Sequence, residues 1–186
     1  MAGISRRRWA VLAVVAVSCA GAVTVVAGEE FPAPAATDRQ ELHTRLALAR
    51  QLHIDWEWNG YARPPSFTRR YDLTLLGTTV KGGRVSRAEF KRSLRLLSEA
   101  PLSQGPYVPF ADHTDDYPKI AIVAGSGARR VRFFTRSQGA GHVPWAVEIG
   151  GRTFVVASDA PERVLELLIP RLAPPREAER MVGRRP

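Results

Sequence analysis

The chain has 186 residues, a formal charge of +9 and one cysteine, Cys19. That length leaves room for one ordinary domain with its own core after an N-terminal leader. Beyond Cys19 the chain has no thiol, which excludes an internal disulfide, a thiolate metal site and a cysteine nucleophile there. The basic balance suits anionic partners, although nearly all the cations are Arg, a bias that a GC-rich genome produces by itself.

Trp9 to Gly28 carries no charge and follows Arg6, Arg7 and Arg8. As a helix it spans roughly 30 Å, enough to cross a bilayer core. The arginines stay inside by the positive-inside rule and leave the rest of the chain outside. A secretory signal has the same layout, and Ala20 with Ala22, or Val25 with Ala27, fits the small-residue spacing of a cleavage site. Cys19 follows Ala16-Val17-Ser18, a loose lipobox, and is the candidate lipidation site. Ser5-Arg6-Arg7-Arg8-Trp9 resembles the start of a twin-arginine export signal. Residues 1–28 are therefore expected to be a signal peptide or membrane anchor: cleaved, kept or lipidated. Each fate places the remainder outside a bacterial cytoplasm, on the outer membrane face, in the periplasm or secreted.

Residues 29–37 read as a Pro/Ala spacer. Asp38 reads as a helix N-cap with Glu41 completing a capping box, and Leu42, Leu46 and Ala49 recur at helical spacing, predicting a helix over about 38–52. From His53 the period changes. Ile54, Trp56 and Trp58 alternate with His53, Asp55 and Glu57, predicting a half-buried strand. Asn59-Gly60 and Pro64-Pro65 mark a loop, and Tyr71, Leu73 and Leu75 mark a second strand. Gly82-Gly83 is expected to turn a tight hairpin between 78–80 and 84–85.

Ser86-Arg87-Ala88-Glu89 is the clearest capping box. It opens a helix with Phe90, Leu94 and Leu97 on one face, ending near Ala100. Residues 101–118 read as a long irregular segment. Lys119–Ala124 and Val131–Thr135 read as strands around a glycine turn. Residues 137–144 read as a second glycine-bearing loop. Trp145–Ile149 and Arg152–Ala157 form a hairpin about Gly150-Gly151. A helix follows, capped by Ser158 or Asp159, faced by Val164, Leu165 and Leu168, and ended or kinked by Pro170. Residues 173–186 read as a flexible charged tail. The fold class is α+β: residues 38–172 form one domain with an antiparallel sheet of about five to six strands and two to three helices on one face, preceded by the N-terminal apolar helix.

Candidate chemistry falls in three places. Asp112, His113, Asp115 and Asp116 crowd carboxylates and an imidazole into one loop, as a hard cation would require, but without EF-hand spacing; a solvated acidic loop is the favoured reading. His113, His142 and Asp115 are the candidate acid–base residues, with Ser137 in reach of a Ser/His/Asp set and no nucleophile-elbow motif. Arg87, Lys91 and Arg95 form a helical stripe that, with Arg129, Arg130 and Arg132, is the candidate anion-binding set; Arg69, Arg70 and Arg136 stand nearby in sequence. Trp56 and Trp58 fit either the core or a sugar-stacking pair, the core being favoured.

No cofactor motif is present. The expected function is an exported, envelope-associated binding or interaction module, not an enzyme. Alternatives are a hydrolase or metal-assisted enzyme using the 101–118 and 137–144 loops, and a structural or inhibitory partner protein. The expected partners are the membrane through the N-terminal segment, anionic envelope polymer or lipid headgroups, or another protein, with nucleic acid ranked last.

Overall fold

The computed structural model describes residues 29–58, 67–107, 119–135 and 145–182. The apolar leader lies outside these residues. Among the described residues, no helix is long and apolar enough to cross a membrane.

In chain order the elements are β1 (Glu29–Phe31), α1 (Ala36–Leu48), β2 (Gln51–Trp58), β3 (Phe67–Leu76), β4 (Thr79–Lys81), α2 (Arg87–Ser98), β5 (Leu102–Ser103), β6 (Gly105–Tyr107), β7 (Lys119–Ala124), β8 (Val131–Thr135), β9 (Trp145–Ile149), β10 (Arg152–Val156), α3 (Ala160–Leu172) and α4 (Pro175–Val182). Eight strands make one antiparallel sheet in the order β4-β3-β2-β7-β8-β9-β10-β5, and β1 pairs with β6 as a separate ribbon. The alternation in the sequence becomes a two-faced surface. Leu52, Ile54 and Trp56 stand opposite Ala124, Ile122 and Ile120, and these in turn oppose Val131, Phe133 and Thr135.

The helices cover that apolar face. Leu42 and Leu46 of α1, Phe90, Leu94 and Leu97 of α2, and Val164, Leu165 and Leu168 of α3 join Ile54, Trp56, Phe133 and Val147 in one core cluster. Ala121, Val123 and Ala146 point to the other face and stand outside that cluster, although they too are buried. Each fully buried Leu, Ile or Phe contributes roughly 1.5–3 kcal/mol, so the layer contact dominates the stability. The architecture is α+β. The strands outnumber the expected five to six at the two sheet edges: β4, three residues long, overlaps the 78–80 arm of the expected hairpin, and β5, two residues long, is too short to show a period.

Polar contacts also fix the helices on the sheet, two of them from aromatic side chains. The Trp145 indole N–H donates to Glu162 Oε1 at 2.7 Å, joining β9 to α3. The Tyr71 hydroxyl donates to Glu177 Oε2 at 2.9 Å, tying α4 to β3.

Several local expectations are corrected. The first helix starts at Ala36 and stops at Leu48, because Gln51 already pairs with Thr74 in the sheet. Asp38 is not its N-cap. The cap is Ala35, and Asp38 reaches back from the third helical position to accept the Ala35 N–H at 2.8 Å. The 29–37 stretch is folded at both ends, as β1 and the first turn of α1. Gly82-Gly83 does not turn a hairpin. The β3–β4 hairpin closes earlier, at Gly77 with φ of 59°, and residues 84–85 lead into α2. The irregular segment from residue 101 contains β5 and β6. Pro170 does not end α3, which runs two residues further, because a proline in the last turn removes only one helical hydrogen bond. The charged tail carries α4.

Other expectations hold. Ser86 Oγ accepts the Glu89 N–H at 3.2 Å while Glu89 accepts the Ser86 N–H at 2.8 Å, a reciprocal capping box. These bonds hold the Glu89 carboxyl below its ordinary range. Gly150 and Gly151 both have positive φ, 57° and 79°, as a type I′ hairpin turn requires.

Candidate functional site

With the described helices on one side, the other face of the sheet carries polar residues in rows set by the register. Asp72, His53, Val123, Arg132 and Glu148 stand side by side across five strands. The next row is Arg70, Asp55, Ala121, Phe134 and Ala146. The small side chain of Ala121 leaves a groove of about 330 Å³, walled by Asp55, Glu57, Lys119, Arg132 and Phe134.

The groove walls are held by their own contacts. Arg70 grips Asp55 with both arms of its guanidinium, Nε to Oδ1 at 2.7 Å and Nη2 to Oδ2 at 3.1 Å. Asp55 also stands 3.5 Å from His53 Nε2. Burial pushes the His53 imidazole below its ordinary value of 6.5, against the pull of Asp55 and with help from the Arg70 charge. His53 is therefore neutral at neutral pH. Lys119 faces Glu57 at 3.9 Å. The Arg132 guanidinium lies 4.6 Å from the centroid of the Phe134 ring, a cation–π stack that gives one wall both an apolar plane and a charge.

Five strand ends meet at the same edge of this groove. Trp58 pairs with Phe67, Glu57 with Lys119, Ile120 with Thr135 and Phe134 with Ala146. Segments 59–66 and 136–144 therefore join strands at this end of the sheet, and 108–118 enters it. At the opposite end lies a shallower groove of about 520 Å³ lined by Gln40, Thr44, Leu48 and Arg129. There Arg45 donates to the carbonyls of Ala128 and Arg130 at 2.6 and 3.3 Å, tying α1 to the β7–β8 turn.

The candidates named from the sequence divide sharply. Asp112, His113, Asp115, Asp116, Ser137, His142 and Cys19 lie outside the described residues. Among the described residues, no three His, Cys, Asp or Glu side chains are grouped to hold a metal ion. The anion-binding set does not form one patch. Arg87, Lys91 and Arg95 are exposed on the helical side, whereas Arg132 is on the opposite sheet face. Arg129 and Arg130 sit in the β7–β8 turn, where Arg130 reaches Glu148 at 3.7 Å. Arg69 approaches Glu177 at 3.6 Å and Arg70 is taken by Asp55. Trp56 is fully buried in the core and so offers nothing to a sugar or a partner chain.

The groove itself is not evident from the sequence. Its signal was the polar half of each alternation: His53, Asp55 and Glu57, then Arg70 and Asp72. That half reads as a solvated face until the register sets Arg70 against Asp55 and Phe134 beside Ala121.

Comparison of the chain with known protein families, with curated proteins and with solved structures returned no match to any of them.

Proposed function

We propose that the chain is an exported bacterial protein, held at the membrane or released beyond it, whose α+β domain acts as a non-enzymatic binding module of the cell envelope. The basic and apolar leader supports the export half of this reading. The groove over Ala121, on the sheet face opposite the described helices, carries the binding half. Its Asp55 is engaged by Arg70, Glu57 faces Lys119, and the Arg132–Phe134 wall offers a flat apolar surface next to a cation. Such a lining suits recognition of a ligand by shape and polar edges.

Export is tested by expressing the full chain with a C-terminal tag in a bacterial host and adding protease to spheroplasts. The domain is expected to be digested, or to be recovered from the medium. A tagged chain that is cytoplasmic and protected would overturn the reading. The groove is tested by NMR titration of the detergent-solubilised chain with soluble glycan-peptide and glycerol-phosphate fragments. Shifts are expected at Lys119, Arg132 and Phe134, and shifts confined to other surfaces would remove the groove from the proposal.

The enzymatic reading keeps one observation in its favour. The loops that hold His113 and His142 both join strands at the groove end of the sheet, at Lys119, Thr135 and Trp145. Ester or phosphoester hydrolysis abolished by both H113A and H142A would establish it, and equal activity in both variants would dismiss it.

A further inference from the structure

α2 crosses the helical side from edge to edge. It follows β4 at one edge of the eight-stranded sheet and leads into β5 at the other, between α1 and α3. Its buried residues are Phe90, Ser93, Leu94 and Leu97. The remaining arc, at 100° per residue, is occupied by Arg87, Lys91, Arg92 and Arg95, with Arg84 just ahead of the helix. All of these side chains are exposed, and none has an ion-pair partner among the described residues. The acid within the helix, Glu89, is turned to the cap and to Arg171 at 3.7 Å, and the next acid along the chain is Glu99 at the C-cap.

The charges on the other side of the molecule are arranged differently. Arg70, Lys119 and Arg130 each face a carboxylate there. Among the described residues, Arg39, Arg50, Lys81, Arg129, Arg132, Arg163 and Arg176 also lack an ion pair, but they are spread over other elements, whereas five such cations follow one another along α2 and its lead-in. An unpaired row of cations on a rigid, core-backed helix is the arrangement a polyanionic plane attracts, since each charge can approach the plane without breaking an internal bond. The position of the leader supplies the plane. β1 begins at Glu29, directly after the apolar stretch, and is paired into the fold by β6, so little slack chain separates the leader from the domain.

We propose that the α2 stripe of Arg84, Arg87, Lys91, Arg92 and Arg95 is a docking surface for the anionic phospholipid headgroups of the membrane. This rests on the exported, membrane-associated reading above. With α2 against the headgroups, the groove over Ala121 on the opposite sheet face points away from the bilayer and stays open to a ligand.

The test compares the full chain with R87Q/K91Q/R92Q/R95Q in co-sedimentation with vesicles of phosphatidylcholine alone and vesicles containing phosphatidylglycerol, at low and high salt. Partitioning into phosphatidylcholine measures the leader, which is the same in both proteins, so the ratio between vesicle types isolates the stripe. Each Lys or Arg near an anionic surface strengthens binding by roughly fivefold, so the ratio is expected to fall by about 10²- to 10³-fold in the quadruple variant and in wild type at high salt. Glutamine keeps helix propensity, and R87K/R92K/R95K, which conserves charge, is expected to retain the wild-type ratio. A quadruple variant with an unchanged ratio would overturn the proposal. So would a wild-type ratio near one together with strong stripe-dependent binding to soluble poly(glycerol phosphate), which would assign the surface to a wall polymer. Failed export would appear in the protease assay and leave the vesicle ratio untouched, so the two readings fail separately.

Discussion

Arg152 opens β10 and points to the helical side, where it meets two carboxylates of α1. It pairs with Asp38 Oδ1, and its Nη2 donates to Glu41 Oε2 at 2.9 Å. The Asp38 side chain is only 4% exposed, while that of Arg152 is 49% exposed. Removing the guanidinium by R152M keeps most of the aliphatic stem and leaves a carboxylate in a dry site with the Ala35 N–H as its remaining donor. Breaking a fully buried pair this way costs about 3–5 kcal/mol. Arg152 is half in water, so the pair is partly screened and the lower range applies, about 1.5–3 kcal/mol. For a domain of this size that is a drop in Tm of roughly 4–10 °C. Urea unfolding followed by tryptophan fluorescence reads it, with an unchanged m-value showing that the loss is in stability. The double variant D38N/R152M is expected to recover about 1 kcal/mol of the summed single losses, because it removes the stranded charge. A loss below about 0.5 kcal/mol for R152M, or additivity in the double variant, would refute the view that Asp38 depends on Arg152.

Three further outcomes follow from local geometry. Ser86→Ala breaks half of the capping box on α2 and is expected to cost about 1 kcal/mol in the same urea assay. Gly82 has a φ of 111°, and a Cβ there would stand 1.7 Å from the Asp72 carbonyl oxygen, so Gly82→Ala is expected to lose more than about 2 kcal/mol. Gly77→Ala, with positive φ but nothing within 4 Å, is expected to lose only about 1 kcal/mol, and equal losses at the two glycines would contradict the contact. His53 binds its proton less readily folded than unfolded, so wild type is expected to lose stability as pH falls below 6.5, while His53→Gln flattens that slope between pH 7.5 and 5. Parallel pH profiles for the two proteins would mean that His53 is not held neutral by its burial.

The strands legible from their periodicity share a property: each is at least five residues long and alternates or runs apolar. β7 and β8 match their expected bounds, and the capped start of α2 follows from four consecutive residues. Reading failed where the decisive partner is remote in sequence. Asp favours the N-cap position, which is what the sequence suggests for Asp38, but its actual partners are Ala35 and Arg152, the latter more than a hundred residues away. The glycine pair at 82–83 suggested a hairpin, yet Gly82 is required by close approach to Asp72 and not by a turn. α4 is masked in the sequence by its two leading prolines and its charge, and what places it on the sheet is remote: Tyr71 and Arg69 of β3, which meet Glu177, and the core, which takes Ala178. The basic residues illustrate the same limit for function. Helical spacing alone gave the stripe at Arg87, Lys91 and Arg95, but whether Arg70 or Arg130 is available depends on Asp55 and Glu148, which only the register supplies.

That dependence on pairing separates the two faces of the domain. A cation already opposite a carboxylate contributes little to attraction for a distant anion, because the pair acts as a dipole whose field is screened within a Debye length of about 8 Å. The sheet face, with Arg70 on Asp55 and Arg130 near Glu148, therefore presents short-range detail and little net field. The α2 face presents net field and little short-range detail, since its cations stand in water with no fixed geometry. Specific recognition requires the first arrangement, and attachment to an extended anionic surface requires the second. Moving charge between the faces should therefore move the two properties independently. Neutralising α2 is expected to weaken vesicle binding and leave titration shifts at Phe134 in place. Asp55→Asn, which frees Arg70, is expected to change those shifts and leave the vesicle ratio within about twofold of wild type, because one added net charge next to the groove lies on the side turned away from the membrane.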